Sequence, residues 1–484
     1  MKKNNYDKYF LPNMNDARKR TYKSLIKTNK FTISNQYKNI GKNFYYYIRT
    51  YGCQANIRDT EQIKGILEAI GFKETENVNQ ANLVILNTCA VRENAENKVF
   101  GEIGLLKRLT NKKNFYFGVC GCMAQEKSVV DKIVNKSKHI NFVIGTHNIH
   151  MLPEVLYRAI KLKERVIHVL SKEEEIIENL PSVRQSNIKA FVNIMYGCDK
   201  FCTYCIVPYT RGRIRSRGKD DILNEINNLV KHGCKEVTLL GQNVNSYGID
   251  INNKYYFSNL LEDVAKTNIP RVRFVTCNPW NFDLKIIKVM KKYKNIMPYI
   301  HLPVQSGDEQ ILIKMNREML INDYLKIIKS LKKEIKDISI STDIIVGFPN
   351  ESNIQFQHTL DLYNKVKFDN AYTFIYSKRE GTPASLIEDK ISNTIKQKRL
   401  QMLNELVKKY AKWNNEKYLN QILQVLVEGR SKTNKNVWFG YSPQWKVVNF
   451  MGDTKIGDIV DVKILSASRF SLNGILLGNK FRER

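Results

Sequence analysis

Short apolar runs alternate with helical stretches from residue 44 to about residue 162. Apolar runs typical of buried strands occupy 44–50, 83–88, 115–120 and 142–144, and helices are predicted over 59–70 and 93–109. Strands that alternate with helices build parallel sheets with helices on both faces. The pattern therefore predicts an N-terminal α/β domain, over 44–162, with a doubly wound parallel sheet.

The same alternation resumes further along the chain. Strands are predicted at 191–196, 237–240, 272–276, 299–302, 338–345 and 371–375, and helices near 220–231, 260–266, 284–292, 321–333 and 355–366. Six such units form three quarters of the eight-unit barrel. We expect a partial (βα)6 barrel over 185–416, joined to the first domain by a linker at 163–184. Its lateral opening would admit an RNA loop.

The two ends of the chain follow neither pattern. After a helix over about 395–418, short strands are predicted at 423–428, 437–441, 446–450, 459–467 and 472–478. Antiparallel strands of this length and spacing predict a small β-barrel of the oligonucleotide-binding type over 417–484. Residues 1–43 carry scattered basic side chains, among them Arg18-Lys19-Arg20, and no sustained apolar period. We interpret them as a basic extension.

The composition adds a strongly basic balance. The 484-residue chain has 78 Lys and Arg residues against 47 Asp and Glu residues, a formal net charge of +31, and 43% of its residues are hydrophobic. A folded basic protein of this kind suits a polyanion, and nucleic acid is the leading candidate. The alternative is a lysine bias without functional meaning.

Other features of the composition concern the compartment. The sequence contains no run of 18 apolar residues and no apolar stretch behind its first basic residues, so we expect neither a membrane span nor a secretory signal. Nine cysteines in so long a chain are typical of a reducing compartment, in which thiolates bind metal instead of forming disulfides. A cytoplasmic protein is expected.

Three cysteines stand together in a C-x3-C-x2-C loop after the first predicted barrel strand. They are Cys198, Cys202 and Cys205. A structural zinc site closes with four protein ligands, whereas a 4Fe-4S cluster held by three thiolates keeps one iron open for a substrate or cofactor. The alternative is a zinc knuckle completed by a distant ligand such as Cys234 or a histidine. The missing fourth local ligand favours the cluster.

A second set of cysteines follows three predicted strands of the N-terminal domain. They are Cys53, Cys89 and Cys122. Loops after parallel strands emerge at one edge of the sheet, so the three thiols can meet in space, although a cysteine at a strand end is commonly a small buried hydrophobe. Gly52 and Gly121 precede two of them and let the backbone approach a bulky cluster. Cys120 ends its strand and is predicted to lie in the core.

The motifs around these cysteines resemble those of known enzymes. The C-x3-C-x2-C loop is similar to that of the radical S-adenosylmethionine (SAM) superfamily, and the chain from about residue 44 to its C-terminus resembles the methylthiotransferases. The matching motifs are TYGCQ at 50–54 with Asn56, NTC at 87–89 with Arg92, YGCD at 196–199, PYTRG at 208–212, LGQNVNSY at 240–247 and TDIIVGFP at 342–349. The departures are Ala55, Asn350 and the segment Thr276-Cys277-Asn278-Pro279. We interpret Cys277 as a replacement for serine and not as a further ligand.

The resemblance implies an auxiliary-cluster domain, a radical SAM core and a C-terminal TRAM domain, with two 4Fe-4S clusters and SAM as cofactors. The loop cysteines would hold the cluster that reduces one SAM to a 5′-deoxyadenosyl radical. The three strand-end cysteines would hold the auxiliary cluster, whose sulfur is methylated by a second SAM. The substrate would be a tRNA anticodon stem-loop carrying isopentenyladenosine, which gains a methylthio group at C2. A low-potential electron donor and a monomeric state are expected, and the sulfur source stays open.

Further site residues are predicted from the same alignment of motifs with strand ends. A SAM or base pocket is predicted to be lined by Gln242, Asn245, Asp343, Gly347 and Glu351, for which a turn-stabilising role is the alternative. Nucleic-acid contacts are predicted in the C-terminal barrel at Arg430, Lys432, Trp438 and Lys446, with the tryptophan as a core residue in the alternative.

Two other functions stay open at this point. A sibling methylthiotransferase would act on threonylcarbamoyl-adenosine in tRNA or on an aspartate of a ribosomal protein, and the contexts of Gln54 and Asp199 argue against both. A non-catalytic RNA-binding protein with structural or redox-sensing clusters is the alternative of another class. Three local ligands argue against it, because a cluster with an open iron is suited to chemistry.

Overall fold

The computed structural model describes residues 26–90, 93–170, 175–251 and 254–478, with the side chains of 93–96 left aside. The basic triplet Arg18-Lys19-Arg20 and the motif residue Arg92 lie outside the described residues. In the described part of the chain, no helix combines the length and the apolar character needed to cross a membrane.

The N-terminal domain is built on a six-stranded sheet in which every pairing is parallel. Its strand order is β3-β2-β4-β5-β6-β7. The central strand β4 is buried along its whole length, as expected where helices cover both faces. The elements are β1 (Lys27–Lys30), β2 (Tyr45–Tyr51), α1 (Gln54–Ala69), β3 (Lys73–Glu74), β4 (Leu83–Thr88), α2 (Glu93–Leu106), β5 (Tyr116–Gly121), α3 (Lys127–Lys136), β6 (Phe142–Ile144), α4 (Leu152–Ile160), β7 (Val166–His168) and β8 (Glu175–Glu178).

This domain extends beyond the predicted bounds on both sides. Strand β7 lies inside the predicted linker yet forms the sixth strand of the sheet, and β8 pairs in parallel with β1. Phe31, Ile33 and Ile40 pack into one of the two apolar cores that flank the sheet. The second part of the predicted extension and both ends of the predicted linker therefore belong to folded structure.

The central domain contains the predicted six parallel strands, which follow one another in chain order. Two three-stranded sheets, β9-β12-β13 and β14-β15-β16, are joined by a parallel bridge between Val272 and Ile296. The elements are β9 (Lys189–Asn193), β10 (Met195–Tyr196), α5 (Val207–Thr210), β11 (Arg215–Ser216), α6 (Lys219–Lys231), β12 (Glu236–Leu240), α7 (Phe257–Ala265), β13 (Arg271–Phe274), α8 (Lys285–Lys292), β14 (Tyr299–His301), α9 (Glu309–Lys314), α10 (Ile321–Glu334), β15 (Ser339–Val346), α11 (Asn353–Val366), β16 (Asn370–Ile375) and α12 (Asn393–Glu416).

The C-terminal domain is a closed five-stranded barrel with the order β17-β18-β19-β21-β20. Its strands are β17 (Ile422–Arg430), β18 (Trp438–Tyr441), β19 (Val447–Met451), β20 (Ile459–Ala467) and β21 (Leu472–Leu476). Four neighbouring pairs are antiparallel, but β19 and β21 pair in parallel. The purely antiparallel prediction is wrong for this pair, because a closed ring with an odd number of strands cannot have every neighbouring pair antiparallel.

The C-terminal barrel is docked against the ends of the central strands where those strands begin. Trp445 stacks on Tyr441 with ring centroids 4.3 Å apart, and the guanidinium carbon of Arg273 lies 3.5 Å from the Trp445 ring centroid. Arg271, which opens β13, donates to the Tyr441 carbonyl at 2.8 Å. The loops of the central barrel that follow its strands are therefore at the opposite end from this joint.

A buried ionic network fastens the N-terminal domain to the central domain. Glu225 of α6 accepts from Arg58 of α1 at 3.1 Å, from Arg184 at 2.6 Å and from Arg217 at 2.8 Å. The network is completed by Glu61, which pairs with Arg58 and Arg184, and by Glu178, which pairs with Arg217. We call this set the interdomain network. It fixes the orientation of α1, and with it the sheet edge that carries the first set of cysteines.

Candidate functional site

The C-x3-C-x2-C loop begins where β10 ends, and its entry requires a glycine. Gly197 has φ +71°, and a Cβ atom there would lie 1.9 Å from the carbonyl oxygen of Arg213. The amide of Cys198 donates to the Gly212 carbonyl at 3.0 Å, and the Asp199 carboxylate accepts from the Ile214 amide at 3.1 Å. The YGCD and PYTRG motifs thus hold one side of the loop against the segment that follows it.

The other side of the loop is held by the end of α9. Thr203 donates through its amide to the Met315 carbonyl at 3.0 Å and through its hydroxyl to the Lys314 carbonyl at 2.8 Å. Asn316 donates from its side-chain amide to the carbonyls of Lys200 and Phe201, at 3.2 and 3.1 Å. The loop is therefore fixed from two directions, and its three thiols are fixed with it. We call Cys198, Cys202 and Cys205 the loop triad.

The loop triad is an unfavourable place for bare thiolates. Burial raises the pKa of Cys198 to about 12, and burial followed by the charges of Cys202 and Cys198 raises the pKa of Cys205. These mutual effects show that the three thiols are neighbours. The thiols must be deprotonated to bind a metal, and nearby positive charge favours the deprotonated form.

Part of that positive charge comes from Arg317, which sequence reasoning missed. Its guanidinium donates to the Pro303 carbonyl at 2.6 Å and to the Tyr204 hydroxyl at 3.3 Å, lies 3.9 Å from the Cys202 sulfur, and stacks over Trp280 at 4.8 Å. Its Nε has no hydrogen-bond partner among the described residues. A buried cation with a spare donor beside three thiols fits a group that carries negative charge. No sequence motif marked this residue.

The second set of cysteines meets at the carboxyl edge of the N-terminal sheet. Cys53 follows β2, Cys89 follows β4 and Cys122 follows β5, and these strands are neighbours in the sheet. The strand order reverses at β2, so β2 and β4 flank the topological switch point where open α/β sheets bind their ligands. We call these residues the strand-end triad. The sequence prediction that the three cysteines meet in space agrees with this placement.

Two glycines and two asparagines shape the strand-end triad. Asn56 donates to the Thr88 carbonyl at 3.2 Å, and Asn87 donates to the Asn56 carbonyl at 2.8 Å, so the ends of β2 and β4 are tied together. Gly121 has φ +95°, and a Cβ atom there would lie 2.4 Å from the Asn87 side-chain oxygen. A Cβ atom at Gly52 would meet the Asn56 side chain at the same distance. The glycines are needed for this tight packing of strand ends.

The thiols of the strand-end triad interact with one another and with an arginine of the central domain. A hydrogen bond with Cys89 is the largest cause that lowers the pKa of Cys53 to about 5, and Arg211 and the first amides of α1 add to it. Burial raises the pKa of Cys122, while Arg211 opposes that shift. Cys53 is the N-cap residue of α1, where the free helix amides favour a thiolate.

Arg211 connects the two domains at this site. Its Nε donates to the Cys122 sulfur at 3.0 Å, and its NH2 group pairs with Asp59 of α1 at 2.6 Å. Both members of the ion pair are buried, each less than a tenth exposed. Arg211 is part of the PYTRG motif, but its contact is with a cysteine 89 positions earlier in the chain, which no spacing rule indicates.

A small apolar cluster joins the surroundings of the two triads. Ala90 and Cys122 of the N-terminal domain pack with Ile206 and Tyr209, and Phe201 packs against them. The ring centroids of Phe201 and Tyr209 are 5.8 Å apart. Residues of or next to both triads therefore meet in one apolar cluster, which brings the two sites into the same part of the molecule.

The donor sets fit iron–sulfur clusters better than single ions. Among the described residues, no group of three or more His, Cys, Asp or Glu side chains is arranged to hold a metal ion. A single Zn²⁺ needs every thiolate about 2.3 Å from one point, whereas thiolates on a cubane bind different irons. Neighbouring thiols that do not converge on one point suit the second arrangement. Of the distant ligands suggested for a zinc knuckle, Cys234 or a histidine, Cys234 is buried in the core of the central domain and donates to the Glu236 carbonyl.

The remaining cysteines are packed among apolar side chains. Cys120 packs into one core of the N-terminal domain, as predicted from the sequence. Cys234 donates to the Glu236 carbonyl at 3.3 Å, and Cys277 is 1% exposed in the core of the central domain. Burial raises the pKa of both thiols. The structure therefore gives these three residues packing roles.

The predicted SAM or base pocket residues are mostly engaged with protein groups. Gln242 lies partly exposed in the turn after β12. Asn245 exchanges hydrogen bonds with the backbone of Asn278, at 2.9 and 2.7 Å. The Glu351 carboxylate accepts from the Gly347 amide at 2.8 Å and from Arg399 at 2.9 Å. Contacts of this kind stabilise turns, which is the alternative to a role in the SAM or base pocket.

Asp343 differs from the other pocket residues because it is partly exposed. Its carboxylate lies 3.4 Å from Nε2 of His301, whose Nδ1 bonds to the Ser341 hydroxyl at 2.9 Å. The ring of Tyr372 lies against His301 with centroids 5.7 Å apart. Of the five predicted pocket residues, Asp343 is the one whose carboxylate is close to a histidine and open to a ligand.

Two of the four predicted nucleic-acid contacts are corrected by the structure. Lys446 is buried and pairs with Asp369 of the central domain at 2.8 Å, so its charge holds the barrel in place. Trp438 is buried in the core of the C-terminal barrel and donates to the Gly452 carbonyl at 3.0 Å. Arg430 is exposed and stacks over the rim of Trp438 at 3.6 Å, and Lys432 is exposed. For Arg430 and Lys432 the prediction stands untested.

Comparisons with known proteins agree with this division of the chain. Family models match in three places: the uncharacterized protein family UPF0004 at 45–145, the radical SAM superfamily at 192–363 and the TRAM domain at 416–477. The tRNA-2-methylthio-N6-dimethylallyladenosine synthase of Malacoplasma penetrans is 57% identical over 479 residues, with 98% of each chain covered. The chain belongs to the tRNA-2-methylthio-N6-dimethylallyladenosine synthase family. The member from Bacillus subtilis is 50% identical over 98% of this chain and 94% of its own.

A solved structure supports the fold independently. A radical S-adenosylmethionine methyltransferase from Kitasatospora setae superposes with a TM-score of 0.53 over 71% of this chain and 75% of its own, at 12% identity. At this identity the likeness extends to the fold alone. The predicted arrangement of an α/β domain, a radical SAM core and a C-terminal TRAM barrel is confirmed.

Proposed function

We propose that this synthase-family chain adds a methylthio group to C2 of N6-isopentenyladenosine next to the anticodon of tRNA. Two separate triads of thiols, whose neighbouring residues meet in one apolar cluster, carry the proposal, because the reaction needs two distinct cluster sites close together. The C2 hydrogen of adenine is not acidic, and C2 is not readily attacked by a nucleophile. Radical chemistry is therefore required for this substitution.

In this proposal the loop triad holds one 4Fe-4S cluster and the strand-end triad holds a second. When bound, these clusters would supply the electron that cleaves SAM and the iron-bound sulfur that is transferred. SAM serves both as radical source and as methyl donor. Each triad leaves one coordination position for an exogenous ligand, which a four-cysteine site would not.

The chain's own residues prepare both sites for this use. Arg211 donates to the sulfur of Cys122 and, with Asp59, holds it in one position. Arg317 provides positive charge beside Cys202 and has an unused Nε donor for an anionic group, such as the carboxylate of SAM. The apolar cluster that contains Phe201, Ile206 and Tyr209 brings the surroundings of the two triads together.

The substrate and its partners complete the proposal. The TRAM barrel and the net charge of +31 suit tRNA as the polyanion. A low-potential electron donor is needed because SAM must be reduced, and cytoplasmic tRNA is the expected substrate pool. The protein is proposed to act as a monomer.

The test is an anaerobic reaction of the reconstituted enzyme with SAM, dithionite and tRNA that carries isopentenyladenosine. Digestion of the tRNA and mass spectrometry of its nucleosides should show 2-methylthio-isopentenyladenosine. Parallel reactions with threonylcarbamoyl-adenosine tRNA and with a ribosomal-protein substrate should give no product. A product only in one of these parallel reactions would assign the chain to a sibling activity, and the lack of any SAM cleavage under reductant would contradict catalysis.

A further inference from the structure

An unassigned cleft lies at the joint between the central domain and the C-terminal barrel. It has a volume of about 410 Å³. Its lining residues are Lys367, Lys409, Tyr410, Lys412, Trp413 and Glu416. Most of them belong to the last turns of α12, and Lys367 caps α11. Three lysines face a single carboxylate, so the cleft carries excess positive charge.

The aromatic residues of the cleft fix the lysines around it. The ammonium of Lys417 lies 3.7 Å from the ring centroid of Trp413, and that of Lys367 lies 5.0 Å from it. Lys409 is 5.3 Å from the Tyr410 centroid. Cation–π contacts of this kind orient the ammonium groups. Trp413 is itself 43% exposed, so one part of its ring is open to a ligand while the lysines and Tyr410 hold the rest.

The positive charge extends below the cleft and is not neutralised there. Burial lowers the pKa of Lys417, and although Asp369 opposes this shift, Lys332, Lys446 and Lys367 lower it further. Asp369 is already paired with Lys446. Several ammonium groups are thus assembled around one carboxylate. An anion in the cleft would relieve their repulsion.

The surface continues onto the C-terminal barrel through a rigid turn. The side-chain amide of Asn415 donates to the Ser468 carbonyl at 2.8 Å, which joins the end of α12 to the β20–β21 turn. Phe470, in that turn, is 72% exposed, and Arg469 stacks on its ring at 4.4 Å. The Ser468 hydroxyl accepts from the amides of Phe470 and Ser471, so the turn holds the ring out in a fixed position. An exposed ring with a stacked guanidinium is a platform for a base.

We propose that the cleft and this turn form one RNA-binding surface, in which the lysines bind phosphates of the tRNA and Phe470 stacks on a base. This inference rests on the proposed function for the identity of the RNA. Strand β15 connects the surface to the reaction site. Near its start, the Ile340 amide donates to Asp369. Near its end, Ile345 packs against the same apolar cluster as Tyr204, which lies between Cys202 and Cys205. Its eight residues span about 26 Å.

The test compares tRNA affinities of full-length, reconstituted variants over a range of salt concentrations. Lys409→Ala with Lys412→Ala should weaken binding and make the slope of log K against log salt shallower by about 1.4 to 1.8, as expected for two lost phosphate contacts. Phe470→Ala should weaken binding by roughly 5- to 150-fold with an unchanged slope, because stacking is not ionic. The matched control is Lys398→Ala with Lys408→Ala, which removes the same charge from α12 outside the cleft and should change the slope much less.

The outcomes separate this inference from the proposed function. Each variant should cleave SAM without tRNA at the wild-type rate and form product at saturating tRNA, which also shows that it is folded. If the cleft double variant and Phe470→Ala both bind tRNA as the wild type does while the wild type makes product, the RNA surface is refuted and the proposed function stands. If the cleft double variant changes tRNA affinity and salt slope no more than the matched control does, the effect comes from net charge alone and the surface is refuted. If the wild type binds tRNA but makes no methylthio product, the proposed function fails separately.

Discussion

The loop triad and the strand-end triad each provide three thiols, but the fold assembles them in different ways. The loop triad is carried by one short segment between Gly197 and Ile206, which the end of α9 and the residues 212–214 hold in place. The strand-end triad draws one cysteine from each of three strand ends and exists only when the sheet has formed. It also needs Arg211 from the other domain.

The difference shows how much each site depends on the whole molecule. Changes far from the loop triad should leave its thiols together as long as α9 supports the loop. Changes at the domain interface should reach the strand-end triad directly, through Arg211 and the interdomain network. The strand-end site is therefore expected to be the more fragile of the two.

Removing whole triads should give the largest effects. Replacement of the three loop cysteines by Ala should reduce the iron content from about eight to about four per chain and abolish SAM cleavage. Replacement of the three strand-end cysteines should remove the same amount of iron, stop methylthiolation and leave SAM cleavage. Iron analysis with deoxyadenosine and nucleoside assays measures these outcomes, and retention of both clusters in either variant would contradict the assignment.

Arg211→Gln should separate the two triads without touching a cysteine. It leaves Asp59 buried without its partner, which costs about 3 to 5 kcal/mol, and it removes the donor to Cys122. We expect loss of auxiliary iron with an intact loop cluster, read from iron content and electron paramagnetic resonance. Arg211→Leu combined with Asp59→Leu removes both charges and should regain stability but not the iron. If the double variant recovered its iron content as fully as its stability, Arg211 would have only a structural role.

Arg317→Met should act on the loop triad alone. The substitution keeps an apolar stem against Trp280 but removes the donors to Tyr204 and the positive charge near Cys202. Loss of a residue that supports metal ligands commonly costs 10- to 100-fold in affinity or activity. SAM cleavage should fall by about that factor while the auxiliary iron stays unchanged. An altered auxiliary cluster with normal SAM cleavage would be the contrary result.

Acid should loosen the interface that supports the strand-end triad. Burial opposes the charged form of Glu225, but Arg217, Arg58 and Arg184 lower its pKa from 4.5 to about 2. The stabilisation by this carboxylate is therefore complete above about pH 4.5 and is lost as the pH falls toward 2. Urea unfolding at pH 7, 4 and 3 should show this loss in the wild type and a flatter dependence in Glu225→Gln. If the stability of the wild type and of Glu225→Gln fell equally with pH, groups other than Glu225 would be responsible for the loss of stability in acid.

Changes at the core cysteines should have the smallest effects. Single Cys120→Ala, Cys234→Ala and Cys277→Ser variants should keep about eight irons per chain and lose on the order of 1 kcal/mol of stability. Iron analysis and denaturant unfolding measure both quantities. Loss of one cluster in any of these variants would identify it as a ligand.

The sequence predicts the parts that depend on local pattern. The spacing of the loop triad is enough to indicate a cluster, and strand ends in a parallel sheet are enough to bring the strand-end triad together. The strands of the central barrel begin and end within three residues of their predicted bounds, because apolar residues mark each of them. By contrast, β1 has the sequence KTNK and is fully exposed, so no apolar pattern could mark it.

What the sequence does not predict depends on contacts between distant segments. Arg211 and Arg317 acquire their roles only when the folded chain brings them to a thiol. Lys446 has the charge of an RNA contact, but docking of the barrel buries it against Asp369. Trp438 faces inward because side chains alternate along β18. A basic or aromatic residue in a binding domain becomes an RNA candidate only once its exposure is known.

The cross-domain contact of Arg211 also sets an order for biosynthesis. The ribosome finishes the third strand-end cysteine at residue 122, but Arg211 emerges roughly ninety residues later, a delay on the order of ten seconds at ordinary elongation rates. During this interval the nascent chain carries three clustered thiols without the guanidinium that steadies Cys122. Cluster delivery to this site should therefore be a late, post-translational event, and a nascent chain stalled before Arg211 should be the form most exposed to oxidation and to the wrong metal.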